Sequence, residues 1–184
     1  MKKIALIIYV LLTSILCFGQ DTELDKTFLN SRNSADSILR HFSEIKGPKM
    51  LYSINDIYYY VIIKSGIDDF QEYYVKKDSS NVLINKVSNV FLEKKVKRKT
   101  KKYYSDVKNE IIKTFTLGSS LDFTSSISNA RFNFCDSKTI YYVLKDENGN
   151  NHDEIKLSLE DSLKIFNPIL STYFIKQLAS FMYK

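Results

Sequence analysis

Tryptophan is absent from this chain, and glycine (5), histidine (2) and cysteine (2) are scarce among its 184 residues. Each shortage removes a class of function. Glycine-rich phosphate loops need several closely spaced glycines, and no such spacing occurs. Only His41 and His152 could act as histidine bases; there is no H-E-x-x-H pair, and TLGSSLDF around Gly118 to Phe123 lacks the G-x-S-x-G elbow of a serine hydrolase. His41 lies beside Phe42 with no second ligand spaced to meet it, which marks it as structural or solvent-facing.

The cysteines divide by position. The chain opens MKKIALIIYVLLTSILCFGQDTELDK, with two lysines, an apolar run from Ile4 to Phe18, then Gly19 and polar sequence. This is the three-part layout of a secretory signal peptide. The run falls short of the roughly 20 residues that cross a bilayer as a helix, so cleavage is expected, after Gly19, rather than permanent anchoring. Lipidation of Cys17 would call for Gly, Ala or Ser before it, and Leu16 stands there. Residues 1–19 are therefore read as a signal peptide and 20–184 as a single domain, exported to the periplasm or beyond. Cys135 is then alone, no internal disulfide is available, and the fold must rest on its core.

There is enough to build one. Apolar residues make up 44% of the chain, with 13 Tyr and 12 Phe. Residues 21–46 carry Leu24, Phe28, Ser31, Ala35, Ile38, Phe42 and Ile45 at alternating steps of four and three, the stripe of an amphipathic helix, stopped by Gly47 and Pro48. DIYYYVIIK (56–64) and QEYYVKK (71–77), joined through SGIDDF, predict an antiparallel hairpin. Further strands are expected at 81–86 and at 131–135, where RFNFC alternates and Cys135 reads as a small buried hydrophobe.

TIYYVLKDENGNNHDEIKLSL predicts a second hairpin with a two-residue turn at Asn148–Gly149. That register sets Tyr142 opposite Ile155 and Ile140 opposite Leu157 on one face, with Tyr141 and Lys156 on the other. The loop's alternating Asp146, Asn148 and Asn150 imitate a calcium loop, but glycine falls at the fourth position and Leu157 occupies the twelfth, where a bidentate glutamate belongs. No metal or cofactor is implied. Asn167–Pro168 begins a final helix with Leu170, Phe174, Leu178 and Phe181 on its stripe. The fold class is α+β: an antiparallel sheet of about four to six strands against an N-terminal, a central basic and a C-terminal helix.

The central helix carries the strongest signal. KKVKRKTKK places Lys94, Lys95, Lys97, Arg98, Lys99, Lys101 and Lys102 in nine positions. Without Lys2 and Lys3 the chain holds 25 basic and 21 acidic residues; without these seven as well it holds 18 against 21, a mildly acidic body. Val96, Thr100, Tyr103, Val107 and Ile111 recur at helical steps, so the inner edge of a helix runs through the block and its charges take the outer faces. Like charges four apart cost this segment roughly 1 to 2 kcal/mol before screening. A solvated face relieved by Glu93, Asp106 and Glu110 is one reading, and contact with an anionic partner is the other.

Export orders the partners: anionic lipid headgroups or acidic polysaccharide come first, and nucleic acid, which Tyr103 and Tyr104 beside the lysines would suit, comes after them. The expectation is a non-catalytic binding or envelope-associated module with no catalytic residues assigned. Its rivals are a secreted hydrolase using an unrecognised carboxylate site, for which Asp68 with Asp69 or Glu160 with Asp161 are weak candidates, and a purely structural periplasmic protein. Two carboxylates converging in a deep pocket would favour the hydrolase; an uninterrupted basic ridge would favour binding.

Overall fold

The computed structural model describes residues 26–67, 69–87, 98–118, 138–158 and 167–182. Two compact units are present, Met1–Ser34 and Ala35–Lys184, and helix α1, over 26–40, contributes to both. In the first, the Arg32 guanidinium lies 5.3 Å from the centre of the Phe28 ring. The second holds the sheet: β1 (Lys49–Ile54), β2 (Tyr58–Lys64), β3 (Phe70–Lys77), β4 (Val82–Lys86), helix α2 (Arg98–Leu117), β5 (Thr139–Lys145), β6 (Asn151–Ser158) and helix α3 (Pro168–Met182). The α+β class, with an antiparallel sheet packed against helices, is as the sequence pattern predicts.

The strand order is β4-β3-β2-β1-β5-β6, with every pairing antiparallel. β1 to β4 form a meander, and the chain then returns to lay β5 along the other side of β1. Two left-handed residues, Asn55 (φ 55°) and Asp56 (φ 52°), make the tight turn from β1 to β2, a conformation that Asn and Asp tolerate better than branched residues. Asn55 also joins the turn to β5. Its amide donates to the Thr139 carbonyl and its Oδ1 accepts from the Thr139 amide, both at 2.9 Å.

Period-two alternation assigns the two faces. On one, Met50, Tyr52, Ile54, Tyr60, Ile62, Phe70, Ile140, Tyr142 and Leu144 pack with Val107 and Ile111 of α2 and Leu170, Tyr173, Phe174 and Leu178 of α3. On the other, Leu51, Tyr59, Val61, Ile63, Val75 and Val143 are equally buried, as are Ala35, Ile38, Leu39 and Phe42, whose ring centroid lies 4.8 Å from that of Tyr73. Layers on both faces explain why YYYVII (58–63) carries aromatic and aliphatic residues at every position instead of alternating with polar ones.

The predicted start of the last helix is met, and the predicted stop of the first is not. Asn167 caps α3: its Oδ1 accepts from the amides of Ile169 (3.0 Å) and Leu170 (3.2 Å). α1 ends earlier than its stripe, and His41 to Glu44 form turns closed by hydrogen bonds such as His41 N to Ile38 O at 3.1 Å. Residues 131–135, with Cys135, lie outside the described residues, as do Cys17 and the leader.

The β5–β6 hairpin corrects one expectation. Tyr142 does face Ile155, Ile140 faces Leu157 and Tyr141 faces Lys156, but the loop spans 146–150 instead of two residues. The Asp146 carboxylate draws the chain into a wider turn by accepting from the amides of Asn148 and Asn150, both at 2.8 Å, and from the Asn150 side chain at 3.0 Å. Lys145 therefore pairs with Asn151, and an irregularity between Leu144 and Lys145 restores the outer register.

Candidate anion-contacting surface

The inner edge of α2 follows the predicted stripe. Val107 and Ile111 are buried, and Thr100 and Tyr103 are half-buried. Lys101 and Lys102 project from the same turns and are exposed. Arg98 and Lys99 begin the helix, while Lys94, Lys95, Lys97 and Val96 lie outside the described residues. The first turn of α2 contains no acidic residue, so cations stand at the positive end of the helix dipole, an arrangement that costs helix stability.

Among the described residues, Lys101 and Lys102 find less neutralisation than the spacing offered. Glu110 is engaged elsewhere: it accepts from the Asn167 side chain at 2.7 Å, bracing the start of α3, and lies 3.8 Å from Lys113. Among the described residues, no carboxylate comes within ion-pair distance of Lys101 or Lys102. Glu93 lies outside the described residues.

One cation that sequence reasoning missed joins this end of the helix. Lys176, exposed on α3, holds its Nζ 4.9 Å from the centre of the Tyr103 ring, and Tyr103 in turn lies 5.5 Å from Tyr104. In sequence Lys176 is an isolated lysine in an apolar stretch, and only the packing of α3 beside α2 brings it to the block.

A shallow cleft of about 330 Å³ opens at the other end of α2, among Pro48, Lys64, Phe115, Leu144, Asp146 and His152. It holds two carboxylates, Asp146 and Glu147, but they do not form a hydrolytic pair. Asp146 is held ionised, its pKa lowered first by the Asn150 side chain and then by backbone amides of its own turn, and Glu147 is exposed. His152 Nε2 lies 3.7 Å from Asp146 Oδ2, at the rim. Among the described residues no group of three or more His, Cys, Asp or Glu side chains gathers as a metal site, and no helix is long and apolar enough to cross a membrane.

Sequence reasoning also missed a buried acid. Glu72 on β3 is 2% exposed and faces the α2–α3 side of the sheet. Its Oε2 accepts hydrogen bonds from the hydroxyls of Tyr60 and Tyr173, the latter at 2.9 Å. Desolvation raises its pKa, and the two tyrosine hydrogen bonds only partly oppose that rise. Phe70, Glu72 and Tyr74 alternate along the strand, which is the signal that placed Glu72 inward. The apolar Tyr73 and Val75 on the opposite parity obscured it.

Comparison with protein families, curated proteins and solved structures finds no match to this chain.

Proposed function

We propose that this chain is an exported, non-catalytic binding module whose basic block, Lys94 to Lys102, attaches it to the headgroups of an anionic lipid surface. The observation that supports this most is the exposure of Lys101 and Lys102 in the opening turns of α2, with no carboxylate paired to them among the described residues. Lys176 adds a further cation beside Tyr103. Six of the block's seven cations are lysines, compact charges without the planar fork with which arginine grips a single carboxylate or phosphate. Such a set suits a diffuse field of charge, where each cation near the surface contributes about 1 kcal/mol.

The competing hydrolase reading needs a carboxylate free to take or give a proton. In the cleft at the far end of α2, Asp146 is committed to its own turn, which leaves that reading without an acid–base pair there.

The test uses the chain from Gln20 onward and a variant with Lys97, Arg98, Lys101 and Lys102 replaced by Gln, sedimented with vesicles of phosphatidylglycerol and phosphatidylcholine or of phosphatidylcholine alone. Loss of at least tenfold in affinity for the anionic vesicles is expected in the variant. Equal binding by both proteins would overturn the proposal. Attachment to polygalacturonate beads without attachment to anionic vesicles would replace the lipid with an acidic polysaccharide.

A further inference from the structure

Among the described residues, Glu72 is the only acidic or basic side chain buried in the core, where its titratable neighbours are tyrosines. Three elements meet at its carboxyl group. It rises from β3 opposite Ile62; Tyr60 reaches it from β2 and Tyr173 from α3; and the two phenol oxygens lie 3.2 Å from each other. Glu72 Oε2, Tyr60 Oη and Tyr173 Oη thus form a triangle. Glu72 Oε1 is just as buried and meets no hydrogen-bond donor among the described residues.

Counting protons over this triangle separates the two charge states. With a proton on Oε2, the three hydroxyl groups close a ring in which each donates once and accepts once: Glu72 to Tyr60, Tyr60 to Tyr173, Tyr173 to Glu72. Oε1 is then a neutral carbonyl, and leaving it bare is a modest cost. Without the proton, both phenols point at Oε2, the hydrogen bond between them is lost, and Oε1 becomes a buried anionic oxygen with no donor. Among the described residues no cation offsets it. The groups facing the site are phenols: Tyr60 from β2, Tyr74 from β3, Tyr173 from α3, and Tyr104 of α2 behind Tyr74. On the same side of the sheet, Lys76 pairs with Asp78 at 3.7 Å and Lys176 lies over Tyr103.

We propose that Glu72 keeps its proton in the folded protein and serves as a latch between the sheet and α3, and that transfer of this proton to solvent frees α3. Burial raises the Glu72 pKa above its unfolded value, which fixes the sign. The latch is at full strength below the unfolded value, near pH 4.5, and weakens as pH rises through the folded value. α3 is the element that responds, because Tyr173 is its direct link to the triangle. It also carries Lys176 toward the α2 block, so acid conditions hold the positive surface in its docked form.

Two measurements on the full chain test this. Glutamate labelled with ¹³C at the side-chain carboxyl allows Glu72, assigned through its contacts with Tyr60 and Tyr173, to be titrated directly by NMR. It is expected to stay protonated at pH values where the exposed glutamates have ionised; titration together with them would overturn the proposal without any substitution. Hydrogen exchange across Pro168–Met182, corrected for the intrinsic rate, should lose protection by up to about tenfold per pH unit between the unfolded value near pH 4.5 and the folded Glu72 value, and level off above it, in the wild type. It should be flat in Glu72→Gln, a neutral side chain of the same shape. Identical pH profiles in the two proteins would also overturn the latch, and an unfolded Glu72→Gln leaves the NMR titration to decide.

Discussion

Replacing Phe174 with alanine is expected to lower the unfolding free energy by about 3 to 5 kcal/mol, a large share of the 5 to 15 kcal/mol that holds a domain of this size. Phe174 is fully buried where α3 meets the middle of the sheet. Its ring stacks on Tyr52 at 4.8 Å and 18°, meets Tyr60 edge-on at 5.9 Å and 61°, and lies 5.9 Å from Tyr173. Removing it deletes contacts to β1, β2 and α3 together and opens a cavity bounded by rigid aromatic rings, which cannot collapse to fill it. With no tryptophan in the chain, urea unfolding followed by tyrosine near-ultraviolet circular dichroism reports directly on this cluster. A loss below about 1 kcal/mol would mean that α3 is not docked through Phe174.

Gly47→Ala should also be costly, on the order of 3 kcal/mol, for a different reason. Gly47 has φ +114°, a backbone region that side chains rarely enter, and a Cβ there would stand 2.0 Å from the Lys64 carbonyl oxygen. That oxygen belongs to the end of β2, where the Lys64 amide donates to the Pro48 carbonyl at 3.1 Å. The clash is backbone against backbone, so relief requires moving the start of β1 away from β2. Gly149 supplies the control. It has φ +86° with open space around it, so Gly149→Ala should cost only the backbone strain, about 1 kcal/mol. The two variants compared by thermal unfolding separate close approach from conformation; equal shifts would show that the Gly47 contact carries no weight.

Much of this architecture can be read in the residues. The β2–β3 hairpin follows from two β-branched, aromatic runs joined by a short loop, and α3 from its Asn-Pro start and its apolar spacing. The β5–β6 register follows from matching apolar partners across the loop, because a slip by one residue would send Ile140 and Tyr142 to the wrong face. The turn itself was misread because Asn148–Gly149 is a common two-residue signal, whereas the Asp146 carboxylate gathers three N–H donors and widens the loop.

β1 was not anticipated, although it lies at the centre of the sheet. KMLYSI is six residues between two turn signals, too short for a period to show, and its place at the centre of the sheet rests on a second partner, Ile140–Lys145, that is distant in the chain. The candidate surface was half legible. A dense run of lysines announces itself, but the diversion of Glu110 to Asn167 and the arrival of Lys176 are tertiary events. Glu72 was the hardest to find, since its parity with Phe70 and Tyr74 is obscured by a strand that is also apolar on the opposite parity.

The claim that the basic block is a contact surface for an anionic membrane is tested most directly by the salt dependence of vesicle binding. The chain from Gln20 onward, mixed with phosphatidylglycerol-containing vesicles from low to several hundred millimolar salt, should bind tightly at the low end and release steeply as screening shortens the reach of each charge toward about 8 Å and below. Neutral vesicles should capture little at any salt. Binding that is indifferent to salt, or equal on neutral and anionic vesicles, would contradict the account.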